Sequence, residues 1–494
     1  MSTPLGVRPV INANATVTVL GGSLMPPPVV EAMADAATRF VDLPELHLRV
    51  DERLAELTHN EAAYVTSGAA AALTLSIASC ITADSQAFPR SAEIVMFASQ
   101  RNGYDYSARF LGATVHEIGP SVEELRAAVL RRPACVLWMA GAHYAADALP
   151  IEEVVRVVRE SETSADPGFA PMSLGSAPAT AATAAPAAAA GSAATAATAA
   201  NVANSASAAT AATAATAANS ASAATAANSA NAANAANAAS AATAANSANA
   251  ANAANAASAA NAANAASAAT AANAASAATA ANAASAATAA NAASAAAAAP
   301  GVPVIVDAAA QIPPVSSLWR FTRDFGADAV IVSGGKGLRG PQASGLVLGK
   351  TWLIDRIRAH SSPNHEIGRG MKVGKEELLG LLAAVEWTLQ QDEEELLASY
   401  ERIVDQWIDG LRTIPGVVVE RGYPSEAGQP HSRAVLRLPG TRDEVIKQLW
   451  DGNPRIAVGT FGLPDDAIAL NPQTLQPGEP ELILQALQTI LTQA

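Results

Sequence analysis

The residues from about 173 to 299 constrain this fold most, because they remove themselves from it. This stretch is alanine with serine, threonine and asparagine, and almost nothing else. It has no aromatic residue and no charge. Polar residues recur at every third position, as in Asn273, Ser276, Thr279, Asn282, Ser285 and Thr288. Alanine favours helix. A period of three, however, slips by about 60° per repeat on a helix of 3.6 residues per turn. The polar stripe therefore winds around the cylinder and leaves no fixed apolar face to dock. Such a stretch buries too little surface to offset its ordering entropy. The expectation is a low-complexity insert, and the core must come from the flanks.

The flanks read as one α/β pattern. "EIVMFAS" (93–99), "ACVLWMAG" (134–141), "VPVIVD" (302–307), "DAVIVSGG" (328–335) and "SGLVLGK" (344–350) are apolar runs with few interruptions. Helical segments alternate with the earlier of them: 29–40, 45–58, "SVEELRAAVL" with Ser121 as N-cap and Glu124 three later, and "IEEVVRVVRE". Continuous apolar strands between helices predict a mostly parallel sheet covered on both faces. The tail is helix-rich, with "GKEELLGLLAAVEWTLQQ", a strand at "RAVLRLPG" and a closing helix at "PGEPELILQALQTILTQ". The 494 residues would suit two or three ordinary domains. The expected division is a 1–50 N-terminal segment contributing to the active-site face, a large domain of 51–172 and 300–350 split by the 173–299 insert, and a small C-terminal α/β domain of 351–494.

A formal charge of −14 argues against a broad nucleic-acid surface. The two cysteines, Cys80 and Cys135, sit in apolar contexts and read as buried free thiols. No signal peptide and no run of about 18 strongly apolar residues is visible. The expectation is a cytoplasmic protein without membrane or nucleic-acid partners.

The chemistry concentrates in "VIVSGGKGLRGP" (330–341). Lysine prefers water, yet Lys336 stands between glycines just past an apolar strand. Asp307 closes the strand before it. In an open α/β sheet both would lie at carboxyl strand ends, facing one crevice. An acid and a lysine so placed suit pyridoxal phosphate (PLP). The lysine forms a Schiff base, and the carboxylate holds the pyridine nitrogen protonated. The flanking glycines are expected to let the backbone approach the cofactor. A phosphate cradle is available at "TSGAAAAL", where Ser67, Gly68 and Ala69 open a helix. Ser333 would add a hydroxyl, and Arg339 would neutralise charge.

These motifs resemble the fold-type I PLP enzymes of the selenocysteine synthase superfamily. The branch containing D-glucosaminate-6-phosphate ammonia-lyase is the most similar. The resemblance rests on "AAYVTSGAAAAL", "VIVDAAAQIPP", "SGGKGLRGPQASGLVLGK" and "GRGMKVGKEELLGLLAAVEW", and it covers nearly all of the chain outside the insert. It implies an aspartate aminotransferase-like α/β fold, with Lys336 as the Schiff-base lysine and Asp307 as the partner of the pyridine nitrogen. It implies Ser67, Gly68, Ala69 and Ser333 as phosphate ligands. It also implies a homodimer or larger even assembly with active sites at subunit interfaces. Selenocysteine synthases carry Asp before the lysine and Gly-Gly-Pro-Gln after it. Here Gly335 precedes Lys336, and Arg339 stands in the second stretch.

Substrate contacts are expected from Arg369 and Lys372 in "RGMKVGK", from Arg339, and from His143 with Tyr144 beyond strand 134–140. Tyr104 or Asn102, in "QRNGYDYS", would cover the cofactor ring. The function expected is a PLP-dependent lyase acting by α,β-elimination on a small amino acid or amino-sugar acid. A selenium transferase acting on seryl-tRNA and a non-catalytic scaffold of the same fold are the alternatives.

Overall fold

Apolar strands need cover on both faces, and the arrangement of alternate residues shows how this chain provides it. A computed structural model describes residues 5–82, 92–141, 144, 147–163 and 301–492, and these belong to one compact unit. The insert expected at 173–299 lies outside the described residues, as does His143.

In chain order the strands are β1 (Val10–Ala13), β2 (Ala62–Thr66), β3 (Glu93–Phe97), β4 (Thr114–Ile118), β5 (Cys135–Met139), β6 (Val304–Asp307), β7 (Ala329–Ser333) and β8 (Gly345–Gly349). They are followed by β9 (Val418–Gly422), β10 (Arg433–Arg437), β11 (Arg455–Val458) and β12 (Ala467–Leu470). A seven-stranded sheet has the order β2-β8-β7-β6-β5-β3-β4. The pairs from β7 through β6, β5 and β3 to β4 are all parallel. β8 is antiparallel to both β7 and β2. The sheet is therefore mostly parallel, with one reversed strand.

Alternation along each strand feeds two separate cores. Val95, Phe97, Val136, Trp138, Val304 and Val306 pack on one face, with residues of helices Leu43–Leu57, Val122–Val129, Ile151–Thr163 and Lys375–Leu389. Ile94, Met96, Leu137, Ile305 and Ile331 face the other way, onto helices Ala69–Ile81 and Thr351–His360. Burial on both faces explains why these strands read as unbroken apolar runs. Cys80 and Cys135 are buried free thiols in the second core.

Local signals set the helix ends. Asp42 caps Leu43–Leu57 by accepting from the Glu45 N–H at 3.0 Å. Ser121 accepts from the Glu124 N–H at 3.3 Å, as expected. The reciprocal half of that capping box does not form: the Ser121 hydroxyl donates to Glu123, and the Ser121 N–H donates to the Gly119 carbonyl.

The C-terminal residues build a third core around an antiparallel sheet of order β12-β10-β9, with Trp407, Leu436, Ile468 and Leu487 at its centre. β10 and the closing helix Glu479–Leu491 fall where the sequence placed them. β1, β9, β11 and β12 carried no sequence assignment. β1 pairs with β11, so the N-terminal strand joins the C-terminal layer. From there the chain crosses the carboxyl ends of the large sheet, and Thr16, Thr18 and Gly22 reach the cavity described next.

Candidate active site

A cavity of about 350 Å³ opens at the carboxyl ends of β6 and β7. Asp307 and Lys336 both line it, with Gly68, Ala69, Ser333 and Tyr144. This is the crevice expected of an open parallel sheet.

Asp307 is the last residue of β6 and is buried. Its Oδ1 accepts from the Ala309 N–H at 3.0 Å. Among the described residues Oδ2 has no hydrogen-bond partner. Burial raises the Asp307 pKa above the usual carboxylate value, against the Ala309 hydrogen bond and the Lys336 charge. Burial lowers the Lys336 pKa, and the Asp307 charge opposes it. The acid and the base are thus pushed toward each other on the pH scale.

The lysine sits in a tight loop rather than on a helix or strand. The Gly334 N–H donates to the Ser344 carbonyl at 2.9 Å, the Gly340 N–H to the Gly334 carbonyl at 2.8 Å, and the Arg339 N–H to the Lys336 carbonyl at 3.0 Å. The glycines around the lysine serve this packing, and Gly335 also lines the cavity. A Cβ on Gly335 would stand 2.4 Å from Gln342 Cα, and one on Gly337 would stand 2.0 Å from the Ile312 carbonyl oxygen.

The anion cradle takes shape at the start of helix Ala69–Ile81. Gly68 has φ +109°, a region that side chains rarely adopt, so the turn needs glycine there. The first N–H groups of the helix have no intrahelical acceptor. Gly68, Ala69 and Ala70 bring them to the cavity wall. Ser67 does not line the cavity, and its hydroxyl donates to the Met371 carbonyl at 3.0 Å.

Other predicted residues divide. Tyr104 and Tyr144 line the cavity. Asn102 does not cover it. Its Oδ1 accepts from the Tyr104 N–H at 2.7 Å, so it shapes the turn that presents Tyr104. Arg369 and Lys372 are exposed and do not line the cavity, although their loop touches its cradle through the Ser67–Met371 bond. Lys375, from the same motif, is bonded to the Ala36 carbonyl and Glu376. Gln311 and Gln342 line the cavity and were not singled out from the sequence. Both lie inside motifs already quoted, "VIVDAAAQIPP" and "RGPQASG", and their fixed distance from Asp307 and Lys336 was the available signal.

No family model matches the chain. Over 197 residues it is 34% identical to 5'-C-glycyluridine monooxygenase-decarboxylase from Streptomyces sp, covering 39% of this chain and 47% of that protein. Over 199 residues it is 31% identical to D-glucosaminate-6-phosphate ammonia lyase from Salmonella typhimurium, covering 39% and 50%. The chain therefore spans about half the length of the curated relatives it matches. Among solved structures it superposes on a D-glucosaminate-6-phosphate ammonia-lyase with a TM-score of 0.60 at 21% identity, over 99% of this chain and 97% of that one. It also superposes on ureidoglycine-glyoxylate aminotransferase from Bacillus subtilis, with a TM-score of 0.50 at 12% identity over 100% and 94%.

The chain has the fold of the fold-type I PLP enzymes.

Within that fold-type I frame the residues present fit PLP. A buried carboxylate with an unpartnered oxygen can take a protonated ring nitrogen. A lysine of lowered pKa can bind an aldehyde. A glycine-started helix N-terminus can take a phosphate. All three line one cavity. Among the described residues no group of His, Cys, Asp and Glu could hold a metal ion, and no helix is long and apolar enough to cross a membrane.

Proposed function

We propose that this protein is a PLP-dependent lyase acting on a small amino acid or amino-sugar acid. The observation that carries this reading is the meeting of Asp307, Lys336 and the Gly68–Ala69 helix start in one cavity. PLP, when bound, would supply the electron sink for a carbanion next to the substrate amine. Every other task falls to residues of this chain. Lys336 would hold the cofactor, and its amine would take the proton from the carbon beside the substrate amine. Burial lowers its pKa, which favours the neutral amine that a proton acceptor needs. Asp307 fixes the ring nitrogen in its protonated form. The helix start and Ser333 hold the phosphate. Tyr104 and Tyr144 wall the open side and limit water.

The named relatives support an elimination that releases ammonia, as the ammonia-lyase name states. A second reading is an oxidative decarboxylation, favoured by the relative named as a monooxygenase-decarboxylase. Ammonia release without oxygen consumption separates the first from the second. The reading includes a large domain of 51–172 and 300–350, a small domain of 351–494, and a cytoplasmic homodimer or larger even assembly. Exposed Arg369, Lys372 and Tyr104 near the cavity would then meet the substrate or the adjoining subunit. The deciding experiment is an absorbance spectrum of the purified protein before and after borohydride, with peptide mapping. A visible band whose reduced adduct maps to Lys336 is expected. No band after added PLP overturns the proposal.

A further inference from the structure

Strand β2 stands at one edge of the seven-stranded sheet, and among the described residues no strand pairs with its outer side. Two side chains of helix Leu43–Leu57 take that place, and both act on Val65. The Asp51 Oδ1 accepts from the Val65 N–H at 3.2 Å, and the His47 Nε2 lies 3.1 Å from the Val65 carbonyl oxygen. Residues four apart share one face of a helix, which is why this pair meets a single strand residue. Among the described residues Val65 is the one residue of β2 whose backbone is bonded by side chains.

The grip is built into the interior. Asp51 is 2% exposed, and its Oδ2 accepts from the Arg358 guanidinium at 3.0 Å. The His47 and Tyr64 rings stack with centroids 4.4 Å apart, and the Arg358 guanidinium carbon lies 5.7 Å from the centre of the same Tyr64 ring. Burial lowers the His47 pKa to about 4. The ring is therefore neutral at pH 7, and Nε2 carries the hydrogen that the Val65 carbonyl accepts. Burial raises the Asp51 pKa, while Arg358 and the Val65 N–H oppose it. A buried ion pair is weak evidence for stability. What this one adds is direction: an apolar side chain would cover the strand edge equally well, but only an acceptor fixes where one N–H points.

The residues after Val65 give that direction a use. Three positions on, the chain makes the positive-φ turn at Gly68 and opens helix Ala69–Ile81 at the cavity wall. The Thr66 hydroxyl donates to the Gly68 carbonyl at 3.0 Å. Gly345 of β8, paired with Thr66, packs so tightly that a Cβ there would stand 2.6 Å from the Ala69 nitrogen. The end of β2 is thus closed on its inner side by β8 and held on its outer side by Asp51 and His47. Hydrogen bonds weaken steeply with angle, so a tilt of this end weakens every bond from the helix start to an anion at once.

We propose that Asp51 and His47 are positioning residues for the cofactor phosphate, acting through Val65 on the helix start at Gly68 and Ala69. The assignment rests on the PLP reading above. Neither residue lines the cavity.

The test compares two aldehydes that differ only in the phosphate. Full-length protein stripped of cofactor is titrated with PLP and with pyridoxal, each followed by absorbance and by borohydride labelling of Lys336. Inorganic phosphate is titrated separately by calorimetry. Asp51→Asn keeps the shape of the side chain and removes one acceptor. It is expected to weaken PLP and phosphate about tenfold and to leave pyridoxal within about twofold. His47→Phe keeps the stack on Tyr64 and removes the donor. It should lower the same PLP-to-pyridoxal ratio several-fold, and it carries the test if Asp51→Asn does not fold. Equal losses for PLP and pyridoxal overturn the proposal, because they show a network that supports only the fold. Unchanged PLP binding in both variants overturns it as well. If neither aldehyde labels Lys336 in the unaltered protein, the PLP reading falls and phosphate decides the positioning role. Phosphate binding that weakens in the variants upholds that role, and phosphate binding that is unchanged or absent overturns it.

Discussion

The Ser23 hydroxyl donates a 2.6 Å hydrogen bond to the Lys336 carbonyl, joining the N-terminal segment to the lysine loop. The Ser23 N–H donates to the neighbouring Gly335 carbonyl at 3.1 Å. Gly22 packs so closely that a Cβ there would stand 2.2 Å from that same oxygen. The lysine is therefore positioned by backbone contacts from a distant part of the sequence, leaving its side chain for chemistry. Ser23→Ala removes the hydroxyl bond and leaves the N–H bond. It is expected to destabilise the fold by about 1 kcal/mol, read from urea unfolding. A loss within error would mean that the N–H bond alone holds the loop.

Asp307 should trade stability for function. Burial raises its folded pKa above the unfolded value. A group of that kind contributes stability that is fully present below the unfolded pKa and is lost as pH rises through the folded pKa. In cofactor-free protein, ionised Asp307 is then a cost that Asp307→Asn removes, with the Ala309 N–H still satisfied. The variant's unfolding midpoint should gain on wild type as pH rises above the ordinary carboxylate value of 3.8, while PLP retention and elimination fall. Elimination should drop by at least about 10²-fold, since the ring nitrogen loses its partner. A variant less stable than wild type at neutral pH would show that attraction to Lys336 outweighs burial.

The glycine beyond the lysine gives a steric test with an internal control. Gly337→Ala places a Cβ against the Ile312 carbonyl, a backbone group that cannot swing away. A destabilisation of about 1–3 kcal/mol is expected, as for overpacking. Gly370→Ala meets nothing within 4 Å, so it should stay within about 0.5 kcal/mol of wild type. Equal effects at the two positions would remove packing as the reason for the Gly-Gly-Lys-Gly sequence.

The Asp307–Lys336 pair was legible because unbroken apolar strands announce a sheet buried on both faces, Asp307 closes one such strand, Lys336 follows the next, and a Ser-Gly-Ala helix start accompanies them. Asp307 and Lys336 stand out on that ground. The packing role of the glycines was not legible. Gly335 meets Gln342 and Gly337 meets Ile312, contacts made only once the loop closes on itself. β1 and β11 escaped notice because strands of four residues with mixed burial carry little periodic signal. Arg369 and Lys372 are a different case. Their spacing reads as a binding motif, yet their side chains are exposed and outside the cavity of their own chain.

The segment between helix Ile151–Thr163 and β6 should be dispensable, and the structure at its two ends is the reason. The Glu162 carboxylate accepts from the Val302 N–H at 2.5 Å, so the flanks already meet. Arg159 donates to Asp328 at 2.7 Å, and Asp328 accepts from the Val304 N–H at 2.8 Å, fastening the start of β6 a second time. Both fastenings lie at the amino end of β6, while Asp307 lies at its carboxyl end. Deleting residues 175–298 leaves enough chain to join ends that are held together independently. By loop-closure entropy the shorter connection costs about 2 kcal/mol less to close. The deleted protein should unfold at the same temperature or higher, keep borohydride labelling of Lys336 and keep its elimination rate within about twofold. Loss of labelling with the fold retained would mean that this segment acts on the site. Loss of a binding function with labelling intact would move the scaffold reading ahead of the enzyme.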